Sequence, residues 1–334
     1  MTELVTIGLF VYNHEKFVCE AIEAIYAQTY RPLELIVSED ASADGSRAIL
    51  DEMLGRAPAG IQVTKVYQDS NKGLANVVNA VTSRANGEII IFAAGDDVSE
   101  PNRVAALVAE FSDTQVMFVH SGHSVIDGNS RCLRGGEVSA RNNLAYTLND
   151  YLGRTNPAVL GATCAYRKKV FEYFSPLKNG IIQEDVILPF RALLLGVGRC
   201  VAHPLVRYRT HGGNISFGGL EADSSEIVRR IVRLQKNRLL LALSQVEDLN
   251  LHSANGAVIS DALIKYQAVN LAEAELEDQI ASGKCRIVKT AYILKCILCL
   301  RLRFAAAAWL FFIYVIPRGY AFALWIRKKQ RLLS

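Results

Sequence analysis

Strand and helix patterns alternate through the first hundred residues, and this alternation restricts the possible folds more than any other feature. Short runs rich in Val, Ile and Leu occur at residues 4–11, 34–37, 61–67 and 88–93. Between these runs, apolar residues recur at helical spacing over 17–28, 47–54 and 75–83. This order predicts a Rossmann-like α/β fold, with a mostly parallel central sheet flanked by helices.

Acidic residues follow two of the predicted strands. Asp40 comes after the second strand, and Asp96 and Asp97 come after the fourth. Because ligands of parallel sheets bind outside the carboxyl ends of the strands, the three carboxylates should share one edge. Adjacent carboxylates suit a divalent ion held between the protein and a diphosphate. The alternative is a turn whose acids only cap the next helix.

The loop at 38–46 offers two roles for its acids. An aspartate there could accept a hydrogen bond from the imide N–H of a pyrimidine base. For Asp44 we expect a capping role instead, because Asp44 and Ser46 directly precede a predicted helix. His14, in the loop after the first strand, could approach a ligand bound at this edge, but we favour its interpretation as a solvated loop residue.

Beyond residue 101 the pattern is looser. Helices are predicted over 104–111, 144–152 and 184–195, and strands over 116–120, 124–127 and 162–167. Glu184 and Asp185 begin one of these helices, where the positive end of the dipole should lower the pKa of Asp185 and keep it ionised. Capping of that helix is the alternative role for the pair. Two amphipathic helices are predicted at 226–243 and 258–280.

Charge is divided unevenly along the chain. All 33 acidic residues precede residue 279, whereas eleven of the 37 basic residues follow it. The basic residues of this tail are interleaved with apolar runs, which favours a membrane surface over a nucleic acid as partner. The uncharged stretches around Arg318 could span a bilayer by length, but an arginine and a proline near the middle oppose this. We therefore expect a monotopic or re-entrant anchor, with a buried helical pair or an oligomer interface as the alternative.

The seven cysteines indicate a reducing compartment. No secretory signal is recognised in the acidic first residues, and the cysteines are scattered rather than paired in a framework. Cys296 and Cys299 have CxxC spacing but fall in a predicted apolar helix without a second pair, which favours buried thiols over a metal site.

Several motifs together resemble family 2 glycosyltransferases of the GT-A fold, over about residues 3–217. They are Tyr12-Asn13-His14, residues 28–37 with the acidic loop, Asn71-Lys72-Gly73, Asn86-Gly87-Glu88-Ile89, Gly95-Asp96-Asp97, Gln183-Glu184-Asp185 and Arg209-Thr210-His211-Gly212-Gly213-Asn214-Ile215-Ser216. The ordered set is far more specific than any one of its members.

The resemblance implies transfer of a sugar from a nucleotide diphosphate donor, most simply a UDP-sugar, with inversion at the anomeric carbon. It implies Asp185 as the general base, and Asp97, with a weaker assignment for His211, as ligands of Mn²⁺ or Mg²⁺. It places the donor against Tyr12, Asn13, Glu39, Asp40, Asn71, Gly73 and Asp96. Tyr12 and Asp40 would contact the base, and Asp96 the ribose or the donor sugar.

The chain departs from the family pattern at two places. Glu39 stands where the family often has a second Asp, which leaves open which acid meets the base. Ala93 and Ala94 precede Gly95 where many members have a bulkier residue, which could alter the room for the donor sugar. Other nucleotide-binding classes fit less well, because the first strand is followed neither by GxGxxG nor by a Gly-rich phosphate loop.

The expected organisation has three parts. Residues 1–217 form a GT-A catalytic domain, with a nucleotide-sugar half at 1–100 and an acceptor half at 101–217. An amphipathic helical region at 218–283 and a basic, apolar, membrane-associating tail at 284–334 follow. The predicted function is synthesis of a cell-surface glycan on a lipid-linked or polysaccharide acceptor, at the cytoplasmic face of the inner membrane. The alternative is a non-catalytic nucleotide-sugar-binding or scaffold protein of the same fold.

Overall fold

Four parallel strands form the first half of the central sheet in the computed structural model. They are β1 (Val5–Val11), β2 (Leu33–Glu39), β3 (Ile61–Tyr67) and β4 (Ile89–Ala94), in the spatial order β3-β2-β1-β4. The helices α1 (Val18–Tyr26), α2 (Ser46–Leu54) and α3 (Leu74–Thr82) connect them. The structure describes residues 3–137, 145–152, 159–211 and 224–257, together with 263, 264, 270 and 274.

The register of these strands brings their carboxyl ends to one level. Val11 of β1 lies opposite Glu39 of β2, and Phe10 lies opposite Ala94 of β4. Apart from Phe10 and Ala94, which are partly buried, the apolar side chains of β1, β2 and β4 are buried, as continuous apolar strands of a parallel sheet require. The predicted order of strands and helices and the predicted shared edge are confirmed.

The amino ends of the same strands are joined by a polar network around the buried side chains of Thr6 and Glu34. Glu34 of β2 accepts hydrogen bonds from the Thr6 hydroxyl, at 2.5 Å, and from the backbone and side-chain amides of Asn86. Gly87 donates its N–H to the Thr6 hydroxyl, and a Cβ at Gly87 would lie 2.6 Å from the backbone nitrogen of Thr6. The Asn86-Gly87 motif therefore holds the strands together at the end away from the acidic loops.

The second half of the fold adds antiparallel strands to the sheet. Its elements are β5 (Val98–Ser99), α4 (Arg103–Glu110), β6 (Val116–Ile126), β7 (Cys132–Glu137), α5 (Leu148–Leu152), a 3₁₀ turn η1 (Gly161–Thr163), β8 (Ala165–Arg167), α6 (Lys169–Tyr173), α7 (Glu184–Leu195) and β9 (Val197–Arg209). The sheet continues in the order β4-β8-β6-β9-β5, with β7 paired to β6. β8 runs antiparallel to both β4 and β6.

These strands correct several expectations. The sheet is mixed rather than mostly parallel, because only its β3-β2-β1-β4 part and the β6-β9 pair are parallel. The two strands expected at 116–120 and 124–127 form one strand, whose pairing with β9 contains register shifts. The strand expected at 162–167 begins with η1, and β5, β7 and β9 were not predicted.

A long helix, α8 (Ser224–Ala254), follows in the described part of the chain. It contains the helix expected at 226–243 and extends it by about three turns. Except for four positions, the helix expected at 258–280 lies outside the described residues, as does the basic tail at 284–334. Within the described ranges, none of the helices has the length and apolar character needed to cross a bilayer.

A buried ion pair attaches α8 to α7. Arg191 donates from Nε and Nη2 to the two carboxylate oxygens of Asp248, at 2.8 and 3.0 Å, and both side chains are 5% exposed. The neighbouring pair of Lys178 and Glu247 lies at the surface instead. The chain divides into two compact units, Met1–Ser260 and Asp261–Ser334, so α8 belongs to the same unit as the sheet.

The two neighbouring pairs on α8 predict very different stability losses. Asp248→Asn should lower the free energy of unfolding by about 3–5 kcal/mol, because it leaves the Arg191 guanidinium buried without its counter-charge. Glu247→Gln removes the same charge from an exposed pair and should change it by less than about 1 kcal/mol. Urea denaturation followed by circular dichroism measures both. Equal losses in the two variants would contradict the burial argument.

Candidate active site

The loop after β1 is joined to the loop after β2 by Asn13. The side-chain oxygen of Asn13 accepts the N–H of Ala43 at 2.8 Å, and its backbone N–H donates to the Ser42 hydroxyl at 2.9 Å. Asn13 and Ala41 both have positive φ values, near 57°, so the two loops turn sharply as they meet. Tyr12, beside this contact, is 43% exposed. The contact therefore leaves an aromatic ring presented at the carboxyl edge of the sheet.

Asp40 organises the Asn71-Lys72-Gly73 motif. Its backbone N–H donates to the carbonyl of Val11, and its two carboxylate oxygens accept the N–H groups of Lys72 and Gly73, each at 2.8 Å. Asp40 is 4% exposed. Because an ionised carboxylate has about four acceptor positions, the two amides do not exhaust its capacity. The structure thus holds the backbone of residues 72 and 73 of this motif against Asp40.

Glu39 has its carboxylate turned into the protein. It accepts the N–H of Ser42 at 2.5 Å and pairs with the guanidinium of Arg47, and its side chain is fully buried. Burial raises the pKa of Glu39, but the hydrogen bonds from Ser42 and Arg47 outweigh it and hold the pKa below its usual value. Asp44 accepts the N–H and the hydroxyl of Ser46 at the start of α2. The capping role expected for Asp44 is confirmed.

Asp97 carries a buried carboxylate oxygen that has no partner. Its Oδ1 accepts the backbone N–H of Arg209 at 2.8 Å, whereas its Oδ2 is enclosed and makes no hydrogen bond. Burial and the neighbouring charge of Asp96 raise the pKa of Asp97 well above its usual value. Unpartnered buried oxygens are rare in proteins and call for an explanation such as a missing ion.

Asp96 lies between two histidines. Its Oδ2 is 3.0 Å from Nε2 of His211 and 3.8 Å from Nε2 of His14. Burial raises the pKa of Asp96, but the hydrogen bond with His211 and the charges of the two histidines lower it overall. In the structure, Asp96 and His211 therefore lie together. The rest of the His211 motif, 212–216, lies outside the described residues.

His14 corrects the expectation of a solvated loop residue. Its side chain is only 17% exposed, and its Nδ1 is buried and unpartnered. A Cβ at Gly95 would lie 2.7 Å from this nitrogen, so the glycine before Asp96 makes room for the imidazole. Burial lowers the pKa of His14, although the charge of Asp96 opposes this. The adjacency of His14 to Asn13 within one motif was the sequence signal for this position.

Arg209 begins the motif at 209–216, but the sequence assigned it no role in the site. It is 1% exposed, and its Nε donates to the backbone carbonyl of Asp96 at 2.8 Å. The guanidinium also pairs with Glu20 and lies 4.8 Å from the centre of the Phe17 ring. Together with its backbone contact to Asp97, this arginine attaches both aspartates to β9 and to α1.

Asp185 reaches the same sheet edge through η1. The N–H of Phe92, near the carboxyl end of β4, donates to the carbonyl of Cys164, so η1 runs beside the end of that strand. The carboxylate of Asp185 accepts the N–H of Gly161 in η1. A Cβ at Gly161 would lie 1.9 Å from the carboxylate oxygen of Glu184, so this carboxylate occupies the space beside the glycine that a side chain would take.

The pKa values at the start of α7 run opposite to the expected helix-dipole effect. Burial raises the pKa of Asp185 to about 6, and burial together with the charge of Asp185 raises that of Glu184 to about 8. Desolvation of the carboxylates therefore exceeds the stabilisation from the helix terminus and from the Gly161 amide. Asp185 is still largely ionised at neutral pH.

The described residues do not by themselves form a complete metal site. No group of three or more His, Cys, Asp or Glu side chains among them is arranged to hold an ion. The orphaned oxygen of Asp97 nevertheless fits a hard divalent cation, because such ions take carboxylate oxygens and leave positions for ligand oxygens. The donor set is compatible with an ion whose shell a diphosphate completes.

The family model described as "Glycosyl transferase family 2" matches residues 6–174 of the chain. The chain belongs to this family. Its curated relatives include the uncharacterized glycosyltransferase alr2836 of Nostoc sp., which is 27% identical over 222 residues, 64% of this chain and 67% of the relative. The putative glycosyltransferase EpsE of Bacillus subtilis is 35% identical over 105 residues, 31% of this chain and 37% of the relative.

A further relative has a name that specifies a reaction. It is the UDP-Glc:alpha-D-GlcNAc-diphosphoundecaprenol beta-1,3-glucosyltransferase WfgD of Escherichia coli, 26% identical over 127 residues, 38% of this chain and 48% of the relative. The chain thus spans about two thirds of alr2836 and between a third and a half of EpsE and WfgD.

Solved structures support the GT-A-like fold. S. aureus TarS 1–349 in complex with UDP matches with a TM-score of 0.55 and 16% identity, over 96% of this chain and 83% of that chain. The mannosyltransferase PcManGT from Pyrobaculum calidifontis, in complex with GDP-Man and Mn²⁺, matches with a TM-score of 0.51 and 15% identity, over 96% and 88%. The predicted family and the GT-A character of the sheet are confirmed.

The buried charge of Asp97 predicts an unusual pH dependence of stability. An acid whose pKa is raised by folding keeps its proton in the native state after the unfolded chain has released it. Stability is therefore lost as pH rises above the ordinary value of 3.8, at up to about 1.4 kcal/mol per pH unit, until the native pKa is passed. Asp97→Asn keeps the acceptor for Arg209 and removes this loss.

We expect the free energy of unfolding of Asp97→Asn to exceed that of the unsubstituted protein by an amount that grows as pH rises above the ordinary aspartate pKa of 3.8, in metal-free buffer. Asp69→Asn, a change of the same kind at an exposed position, is the matched control and should show no such divergence. Urea denaturation at several pH values measures it. Parallel curves for Asp97→Asn and the unsubstituted protein would contradict the prediction.

Proposed function

We propose that this family 2 glycosyltransferase moves a hexosyl or N-acetylhexosaminyl group from a UDP-sugar to a hydroxyl of a lipid-linked or polysaccharide acceptor, with inversion at the anomeric carbon. The observation that carries the proposal is the orphaned Oδ2 of Asp97, at the sheet edge that the Asp40 and Asp185 loops also flank. The UDP and UDP-GlcNAc complexes of TarS and the lipid-linked acceptor in the name of WfgD support the choice of donor and acceptor.

The donor nucleotide would lie against the loops after β1 and β2. The exposed ring of Tyr12 offers a stacking surface for the base, and Asp40 has acceptor capacity left for its imide N–H. Asn13 and Glu39 shape this pocket by holding residues 42 and 43. Asn71 and Gly73 bring backbone close to the donor, and space is open around the α-carbon of Gly73.

The diphosphate would lie near Asp96 and Asp97. Asp97, with a lesser contribution from His211, would hold Mn²⁺ or Mg²⁺, and Asp96 would contact the ribose or donor sugar. Bound there, the ion supplies charge neutralisation for the departing diphosphate, so that no general acid is needed. Arg209 keeps both aspartates in place through its backbone and side-chain contacts.

Asp185 would act as the general base. An acceptor hydroxyl must lose its proton as it attacks, and a carboxylate with a pKa of about 6 is a stronger base than an ordinary aspartate. The Gly161 N–H holds the carboxylate in place. One base with the leaving group on the opposite face of the sugar gives inversion, and no covalent nucleophile takes part.

The remaining parts of the proposal concern organisation and location. Residues 1–217 would form the catalytic domain, 218–283 a helical region and 284–334 a peripheral or monotopic anchor. The protein would act at the cytoplasmic face of the inner membrane in cell-surface glycan synthesis. The interleaved basic and apolar residues of the tail support this location.

The function is tested by measuring release of UDP from a panel of UDP-sugars with and without Mn²⁺. We expect metal-dependent turnover with at least one donor. Asp185→Asn should lower kcat by about 10²–10⁴-fold, because it removes the base without changing its shape. In Asp97→Asn, addition of Mn²⁺ should no longer increase turnover, because the ligand of the ion is lost. Asp69→Asn, at an exposed position, should behave as the unsubstituted protein.

The same assay can contradict the proposal in two ways. Near-normal turnover of Asp185→Asn would show that Asp185 is not the general base. Binding of UDP and Mn²⁺ by calorimetry, without turnover of any donor in the panel, would favour the non-catalytic scaffold instead.

A pH profile provides an independent check on the base. Since Asp185 must be deprotonated to accept the proton, kcat/KM should rise with pH below about 6 and level off above it. The residual activity of Asp185→Asn should lack this rise. A profile already level at pH 5 would mean that the rate does not depend on an acid with a raised pKa, and it would contradict the assignment of Asp185.

A further inference from the structure

The segment that leads into α7 is clamped at its first residues by α3. The side-chain amide of Asn79 donates to the carbonyl of Leu177 at 2.8 Å, and its oxygen accepts the N–H of the same residue at 2.9 Å. Asn76, one turn earlier on α3, donates to the side-chain oxygen of Asn179 at 3.0 Å. Residues 177–179 are therefore fixed to the helix that begins next to Gly73.

The last residues of the segment are held by a single side chain of α8. The side-chain oxygen of Asn237 accepts the N–H of Ile182 at 2.7 Å, and its nitrogen donates to the side-chain oxygen of Gln183 at 2.6 Å. Asn237 is 1% exposed, so water does not replace these bonds easily. Gln183 directly precedes Glu184, the first residue of α7.

Gly180 lies where this segment packs against α8. Its φ is +92°, which side chains other than glycine rarely adopt, and a Cβ there would lie 3.2 Å from Cδ1 of Leu240. The backbone between the α3 clamp and α7 thus turns at a glycine directly beneath α8. Among the described residues, Asn237 is the one residue of α8 whose side chain forms hydrogen bonds to the stretch between this turn and Asp185.

We propose that Asn237 is a positioning residue for Asp185. It holds the backbone of Ile182 and the side chain of Gln183, which set where α7 starts and hence where the carboxylate of the base lies. The inference rests on the proposed role of Asp185. It assigns part of the active-site geometry to a helix outside the 6–174 region that the family model matches.

The proposal predicts a specific loss of turnover. A displacement of about 1 Å of a reacting group can lower the rate about 10²-fold, so Asn237→Ala should lower kcat by about ten-fold or more. The KM for the UDP-sugar donor should change less than about two-fold, because the Tyr12 and Asp40 loops do not contact α8 through this residue. Gln183→Ala removes the acceptor of one of the two Asn237 hydrogen bonds and should also lower kcat.

Gln245→Ala is the matched control. Gln245 is also a buried amide on α8, but it donates to the Tyr151 hydroxyl, at 2.9 Å, and not to residues 177–185. Its loss should lower thermal stability to a similar extent and leave kcat near that of the unsubstituted protein. The comparison separates positioning of the base from general weakening of α8.

Hydrogen exchange of the full-length chain gives a readout that does not depend on activity. The amide of Ile182 should exchange faster in Asn237→Ala and remain protected in Gln245→Ala. Faster exchange with unchanged kcat in an active enzyme would overturn the positioning role. Unchanged exchange in Asn237→Ala, or an equal loss of kcat in Gln245→Ala, would also overturn it.

If Asn237→Ala does not fold, Gln183→Ala decides by itself, and unchanged kcat in that variant overturns the proposal. A failure of the proposed function gives a different result. In that case the unsubstituted protein releases no UDP from any donor, whereas the exchange difference at Ile182 persists.

Discussion

The common level at which β1, β2 and β4 end is the constraint on which the rest of the site depends. Because Val11, Glu39 and Ala94 finish adjacent parallel strands together, the residues that follow them must meet at one edge. Backbone hydrogen bonds then fix the first residue of each loop: the N–H of Asp40 donates to the carbonyl of Val11, and the N–H of Gly95 donates to that of Phe10. The loops can carry reactive side chains because the buried strands beneath them leave little freedom in where each loop begins.

The site places charges where burial disfavours them. Asp97 is enclosed beside Asp96, and Glu184 is enclosed beside Asp185, and in each pair desolvation is the largest influence on the pKa of the more buried acid. Such an arrangement lowers stability and persists where function needs it. Part of the compensation comes from fixed donors, such as the backbone N–H groups of Arg209 and Gly161, and part comes from nearby positive charges, such as the guanidinium of Arg103 close to Asp97.

Features that depend on interactions between residues close in sequence could be predicted, whereas features that depend on distant residues could not. Periodicity and strand-end acids are local signals, so the βα units and the shared position of Asp40, Asp96 and Asp97 could be predicted. The direction of β8 and the burial of His14 depend on partners far along the chain, and no local pattern encodes them. The raised pKa of Asp185 is likewise not predictable from the sequence, because the sequence shows the helix terminus but not the burial that raises this pKa.

The contact of Asp40 with the Asn71-Lys72-Gly73 motif is made entirely to backbone amides. A main-chain contact is indifferent to the identity of the residue that supplies it, provided that the residue is not proline. Position 72 can therefore diverge among homologues while the loop keeps its geometry. Evolution could use this freedom to change what the loop presents to a bound molecule without rebuilding the scaffold that holds it.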